Sequence, residues 1–179
     1  MSLRNQVFDR VSQRVFHGRI IDNAARGDVV EEIVLMALEP EWKLCSEGWH
    51  GWDLMNADGH RMQVRQSAAC QIWESRRPSP NTFSFAPTTG YYVGGESWIE
   101  EAGRHADLYV FAWHGGVDRE AIDQLDPNQW RFFVVLEREL PAQKSMRVSI
   151  AEKRWEACSF DQLANFVREK TLDLMRRQS

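Results

Sequence analysis

Asp53, Gln63 and Arg65 supply a carboxylate, a carboxamide and a guanidinium at a spacing that two adjacent β-strands can bring together. Carboxylate and amide oxygens hold hard divalent cations, a cation so held polarises water or a phosphate oxygen, and a guanidinium grips phosphate through paired N–H donors. The surrounding stretch, Gly51 to Trp73, has two runs of strand-like alternation flanking Asp58-Gly59, a hairpin-closing dipeptide. Its register follows from the two-residue period of side-chain direction. A two-residue loop at Asp58-Gly59 sets Asp53 opposite Val64, an acid on an aliphatic face. A three-residue loop, Ala57-Asp58-Gly59 with Gly59 left-handed, sets Asp53 opposite Gln63, with Arg65 and then Ser67 further along the same face. The second register is favoured, because it leaves Trp52, Leu54, Met62 and Val64 to a common opposite face for burial.

Asp53, a gap of nine residues, then Gln63-Val64-Arg65-Gln66-Ser67-Ala68 resembles the Asp-x(n)-(Glu/Asp/Gln)-x-Lys hairpin of the PD-(D/E)XK nuclease superfamily, which includes restriction endonucleases and Holliday-junction resolvases. Gln63 stands where that family usually has Glu, and Arg65 where it has Lys. Gln keeps an oxygen but brings no charge, so divalent affinity should fall; Arg keeps the positive charge but cannot be deprotonated. In the superfamily the preceding helix often adds an acid in a basic-Gly-x-x-x-Glu pattern, which Arg26-Gly27-Asp28-Val29-Val30-Glu31 matches, with Glu32 as second choice. The resemblance implies a restriction-endonuclease-like α/β core with a mixed central β-sheet flanked by helices. It further implies Mg2+ or Mn2+ held by Asp53, Glu31 and Gln63, with Arg65 completing a catalytic set that hydrolyses DNA phosphodiester bonds. Arg61, Gln66, Ser67, Gln71, Arg76 and Arg77 are the expected nucleic-acid contacts. Two alternatives stay open: the same fold as a catalytically inactive module that binds DNA or a protein partner, and an ordinary amphipathic hairpin with its polar face in water.

A chain of 179 residues, 43% hydrophobic, is long enough for one well-buried domain. The expected division is an N-terminal helical extension over 1–26, the core over 27–136, and a C-terminal strand and helix over 137–179. A net charge of −4 argues against a general nucleic-acid coat protein. It leaves room for a local basic patch: residues 61 to 77 hold four arginines against one glutamate. An acidic chain acting on DNA would draw further positive surface from a homodimer or a partner protein. Three widely separated cysteines without Cys-x-x-Cys spacing point to reduced core thiols in a cytoplasmic protein, not to zinc or a disulfide framework. No apolar signal core or window of membrane-spanning length is expected to direct the chain to a membrane. Among eight tryptophans, Trp42, Trp49, Trp52 and Trp73 surround the hairpin, where packing around a sheet is favoured over stacking on unpaired bases.

The positioning elements follow from periodicity. Val7, Val11, Val15 and Phe16 predict an amphipathic helix over 4–16. A second helix is expected from Asp28 as N-cap to Pro40, with Val30, Val34, Ala37 and Leu38 inward, which would put Glu31 and Glu32 in its first turns. A strand at 42–45, the hairpin, and a strand or helix continuing to Trp73 come next. Residues 76–92 read as a loop-rich insertion bracketing Phe83 to Ala86. The unbroken apolar run 108–113 predicts a strand covered on both faces, ending at His114, a structural histidine more often than a general base. A short helix over 117–125, a strand over 130–136, a short strand near 143–150 and a last helix capped by Ser159 complete the α/β order.

Overall fold

The computed structural model describes residues 2–16, 18–45, 50–73, 81–93 and 97–178. In chain order the elements are α1 (Leu3–Phe16), α2 (Asn23–Leu38), β1 (Trp42–Leu44), β2 (Leu54–Asn56), β3 (Arg61–Ala68), β4 (Thr82–Ser84), β5 (Tyr91–Val93) and β6 (Ser97–Ile99). They continue as β7 (Leu108–His114), β8 (Arg131–Leu136), β9 (Ser145–Arg147), α3 (Val148–Arg154) and α4 (Phe160–Gln178). Five strands form a mixed sheet in the order β1-β2-β3-β7-β8. The β1-β2-β3 meander is antiparallel, β7 runs parallel to β3, and β8 runs antiparallel to β7.

Every residue of β7 is buried, as its unbroken apolar run requires of a strand covered on both faces. One face packs on α2 and α4: Val30, Ile33, Val34 and Leu38 of α2 and Leu163 and Val167 of α4 meet Leu54, Met62, Val64, Val110 and Val134. The other face carries Tyr109, Phe111 and Phe133, covered by Phe83, Phe85, Met146 and the Val148 and Ala151 side of α3. No helix among the described residues is long and apolar enough to cross a membrane.

Several expectations are corrected. Helix α2 starts at Asn23, not after Asp28, because the Asp22 carboxylate accepts the Ala24 N–H at 2.9 Å and caps it. Glu31 and Glu32 therefore lie in mid-helix, outside the reach of the helix dipole's end. Residues 117–125 form no helix: Asp118, Asp123 and Asp126 each accept the N–H two residues on, and these successive Asx turns outcompete helical hydrogen bonding. Strand β3 stops at Ala68. Within residues 76–92, expected as loop, the chain forms β4, paired with β9, and enters β5, which pairs antiparallel with β6, and Phe83 and Phe85 belong to the core. Trp52 leaves the expected face. The chain bends at Asp53, which resets the alternation and packs Trp52 with the Phe83 cluster instead of with Leu54.

The loop between β2 and β3 is the three-residue form: Leu54 lies opposite Met62, and Gly59 has φ +82°. Nothing stands within 4 Å of a Cβ at Gly59, so its requirement is purely one of backbone conformation. Gly59→Ala should lower stability by about 1–2 kcal/mol, and Gly59→Asn by less, in denaturant unfolding. Equal stability of the alanine variant and the parent would refute the left-handed turn.

Candidate active site

Strand β2 pairs with β3 only as far as Asp53, whose N–H donates to Met62 O at 2.9 Å. There β2 turns away, and no strand among the described residues pairs with that edge of β3 further along. Asp53 Oδ2 accepts the Val64 N–H at 2.7 Å, filling the place of the missing ladder bond. The same oxygen accepts Gln63 Nε2–H and lies 3.7 Å from Arg65 Nη1. Arg65 also donates from Nη1 to Val64 O at 3.0 Å and keeps 41% of its side chain exposed, against 17% for Asp53. The favoured register is therefore the one the structure has, and it brings the acid, the amide and the guanidinium together.

Glu31 approaches from α2. Burial and the neighbouring Asp53 and Asp28 carboxylates push its pKa up to about 7, with Arg65 opposing. Burial also raises Asp53, against Arg65, the Val64 N–H and Gln63. Glu32 is exposed and turned to water. Both hydrogen bonds to the Asp53 side chain and the Arg65 charge fall on Oδ2, so Oδ1 receives no hydrogen bond from the described residues, and neither does the half-buried Glu31 carboxyl. Two acids with unused oxygens and mutual repulsion fit a cation of the Mg2+ type, which takes one or two carboxylates and completes its shell with water and substrate oxygens. Among the described residues there is no group of three His, Cys, Asp or Glu that could hold a metal, so any such site is limited to these two acids and the Gln63 oxygen.

The expected nucleic-acid contacts fall into three groups. The Arg61 guanidinium lies over the Trp52 ring, 4.1 Å from its centroid, and stays half-exposed. Ser67 is buried, and Gln66 and Gln71 point into the fold, where Arg26 donates to both side-chain oxygens at 2.8 and 3.0 Å. Arg76 and Arg77 lie outside the described residues. His114 is 1% exposed beside Trp130, with Nε2 at 3.3 Å from Gln129 Oε1, a structural histidine.

Sequence reasoning overlooked Arg26 as more than a motif marker. It is 1% exposed and donates also to Ile21 O and Asn23 Oδ1, clamping the start of α2 to the end of β3. A buried cation between neutral amides has no sequence signature beyond the glutamines at 66 and 71. The aromatic layer next to Asp53 was also missed in part: Tyr91 packs 5.5 Å from Trp52 and 4.4 Å from His105, two contacts spanning an insertion that periodicity could not place.

No protein-family model matches the chain, and no curated protein sequence matches it.

The raised Glu31 pKa has a sign for stability. Because the folded chain holds this proton more tightly than the unfolded chain, the unfolded state binds fewer protons between the ordinary 4.5 and about 7, and stability falls as pH rises through that window. Urea unfolding in chelator should show the parent losing stability from pH 5 to pH 8, and Glu31→Gln should flatten the loss. An unchanged slope in the variant would show that burial and the neighbouring acids do not raise the Glu31 pKa.

Proposed function

We propose that this chain is a metal-dependent phosphodiesterase acting on DNA, built on a restriction-endonuclease-like core. The observation that carries the proposal is the meeting of Asp53, Gln63 and Arg65 at the edge of β3 that β2 leaves, with Glu31 electrostatically coupled to them. A restriction-endonuclease-like core has the order α-β-β-β-α-β; the order α2, β1-β2-β3 meander, parallel β7 supports the assignment, with one departure: strands, not a helix, occupy the described part of the connection from β3 to β7.

Asp53 Oδ1, the Glu31 carboxylate and Gln63 Oε1 would hold Mg2+ or Mn2+. When bound, the cation would lower the pKa of a water and offset charge on a phosphate oxygen. Asp53 is fixed for this task by the Val64 N–H, and the Gln63 amide fixes it from the other side. Arg65, pinned by one N–H to the Val64 carbonyl, keeps other N–H donors for the phosphate's developing charge. Glu31 holds a proton near neutral pH in the cation-free chain, so cation uptake releases it and affinity should rise from pH 6 to pH 8.

One observation favours a second reading, an inactive module that binds DNA or a protein partner. Gln63 presents its amide N–H, not its oxygen, to Asp53, so the three side chains close on one another without a cation.

Plasmid and single-stranded DNA incubated with Mg2+ or Mn2+ separate the two readings. Cleavage by the parent, reduced at least about 100-fold in Asp53→Ala, is the expected outcome. Binding that chelator leaves unchanged, with no cleavage by the parent, would establish the module instead. Gln63→Glu adds a charge beside Asp53 and should raise Mn2+ affinity about tenfold in calorimetric titration. A variant that binds no more Mn2+ than the parent would remove metal chemistry from the site.

A further inference from the structure

The parallel strands β3 and β7 end side by side, with the Ala69 N–H donating to His114 O at 2.9 Å. Segments leaving the carboxyl ends of neighbouring parallel strands commonly form ligand crevices. Here they frame a hollow of about 360 Å³ lined by Arg19, Ile20, Ile72, Arg119 and Glu120, with Gly18 at its edge. Both arginines are held by main-chain oxygens. Arg119 donates from Nη1 to Gln71 O at 3.1 Å and to Cys70 Sγ at 3.3 Å, and from Nη2 to Ile72 O at 3.4 Å. Arg19 donates from Nη1 to Glu120 O at 2.7 Å.

A guanidinium has five N–H donors. With respect to the described residues, these bonds leave four unused on Arg19, and Nε–H and one Nη2–H on Arg119. Neither arginine forms an ion pair with a carboxylate among the described residues. Two exposed guanidinium groups tethered by main-chain oxygens, with donors to spare, suit an oxyanion. Glu120 lines the same hollow and leaves a net single positive charge, which one phosphate group balances. Ile20 and the exposed Ile72 offer an apolar wall to a sugar or base beside that phosphate.

A polar chain runs from the hollow to Gln66 of β3, the residue after Arg65. Gln66, next to Arg65, accepts from Arg26; Arg26 donates to the Gln71 side chain; the Gln71 carbonyl accepts from Arg119. Arg65 and Gln71 are six residues apart. That stretch of backbone spans at most about 20 Å, about six steps of one DNA strand at 3.4 Å each, so a single strand of modest length can reach from one site to the other.

We propose that Arg19 and Arg119 form a phosphate-binding site at the carboxyl ends of β3 and β7, which holds a backbone phosphate of the nucleic-acid strand whose scissile bond lies at Asp53. The phosphate chemistry stands on the hollow itself; only the assignment to that strand rests on the proposed function. A free mononucleotide offers the same chemistry, and the experiment distinguishes the two sources.

Fluorescence anisotropy of a labelled single-stranded 16-mer DNA, in chelator, compares the full-length parent with Arg19→Gln, Arg119→Gln and the double variant. The double variant should bind at least tenfold more weakly, with a salt dependence shallower by about 0.7, one phosphate contact on a single strand. Arg119→Gln also removes anchors of residues 70–72, so Arg19→Gln, which loses one main-chain bond, is the decisive single variant, checked by its unaltered thermal melt. Competition with inorganic phosphate and dTMP identifies the source: displacement of the 16-mer only by longer DNA supports a strand phosphate, and displacement by dTMP at comparable concentration supports a free nucleotide. A parent that binds none of these probes, or a double variant that binds them all as the parent does, overturns the phosphate site. Absence of cleavage by the parent with Mg2+ or Mn2+ leaves these binding results standing and overturns only the nuclease reading.

Discussion

At the edge of β3 a side-chain oxygen does the work of a neighbouring strand. Where β2 departs, Asp53 Oδ2 takes the Val64 N–H that would otherwise be left unpaired, and this one bond fixes where the sheet opens. The carboxylate is consequently held in the sheet plane, mostly buried, with Gln63 and Arg65 drawn to the same oxygen. Burial raises the acid's proton affinity while the Arg65 charge and the Val64 and Gln63 hydrogen bonds lower it. Burial prevails, and the carboxyl lies above its ordinary range.

Arg26 is the counterpart on the helix side. Its charge is buried among amide and carbonyl oxygens, and burial lowers its pKa against the attraction of Asp22. Removing one partner of such a cluster leaves a buried N–H of a charged group without an acceptor, so α2, β3 and the segment after β3 are bound to one another's positions. Glu31 lies five residues further along that helix. Its approach to Asp53 is set by the Arg26 clamp together with Val30, Ile33 and Val34 on the sheet.

The hairpin register was legible because three independent signals agreed there: the Asp-Gly turn, the two-residue alternation of Met62 and Val64 against Gln63 and Arg65, and the need of an acid to avoid an aliphatic neighbour. The buried β7 was legible from its unbroken apolar run. Trp52 was not, since alternation carries no information past a bend, and the bend at Asp53 arises from a side-chain bond to a residue eleven positions away. The start of α2 was misplaced because two aspartates six residues apart, Asp22 and Asp28, are equal N-cap candidates in sequence. What chose Asp22 was tertiary: Arg26 belongs inside the helix, where it reaches Gln66 and Gln71. The turns at 118–128 were hidden by helix-compatible neighbours, Glu120, Ala121 and Gln124, among the aspartates that override them.

Helix α1 runs for fourteen residues without burying one of them, and Leu3, Val7 and Phe8 are left largely in solvent. A helix of that length is marginal in water when packing contributes nothing. Its amides should exchange with deuterated solvent through local fraying, within the fastest class, whereas those of β7 wait for opening of the whole sheet. A gradient of cooperativity along the chain is the expected consequence, from an amino-terminal helix that opens early to a central strand that reports global unfolding.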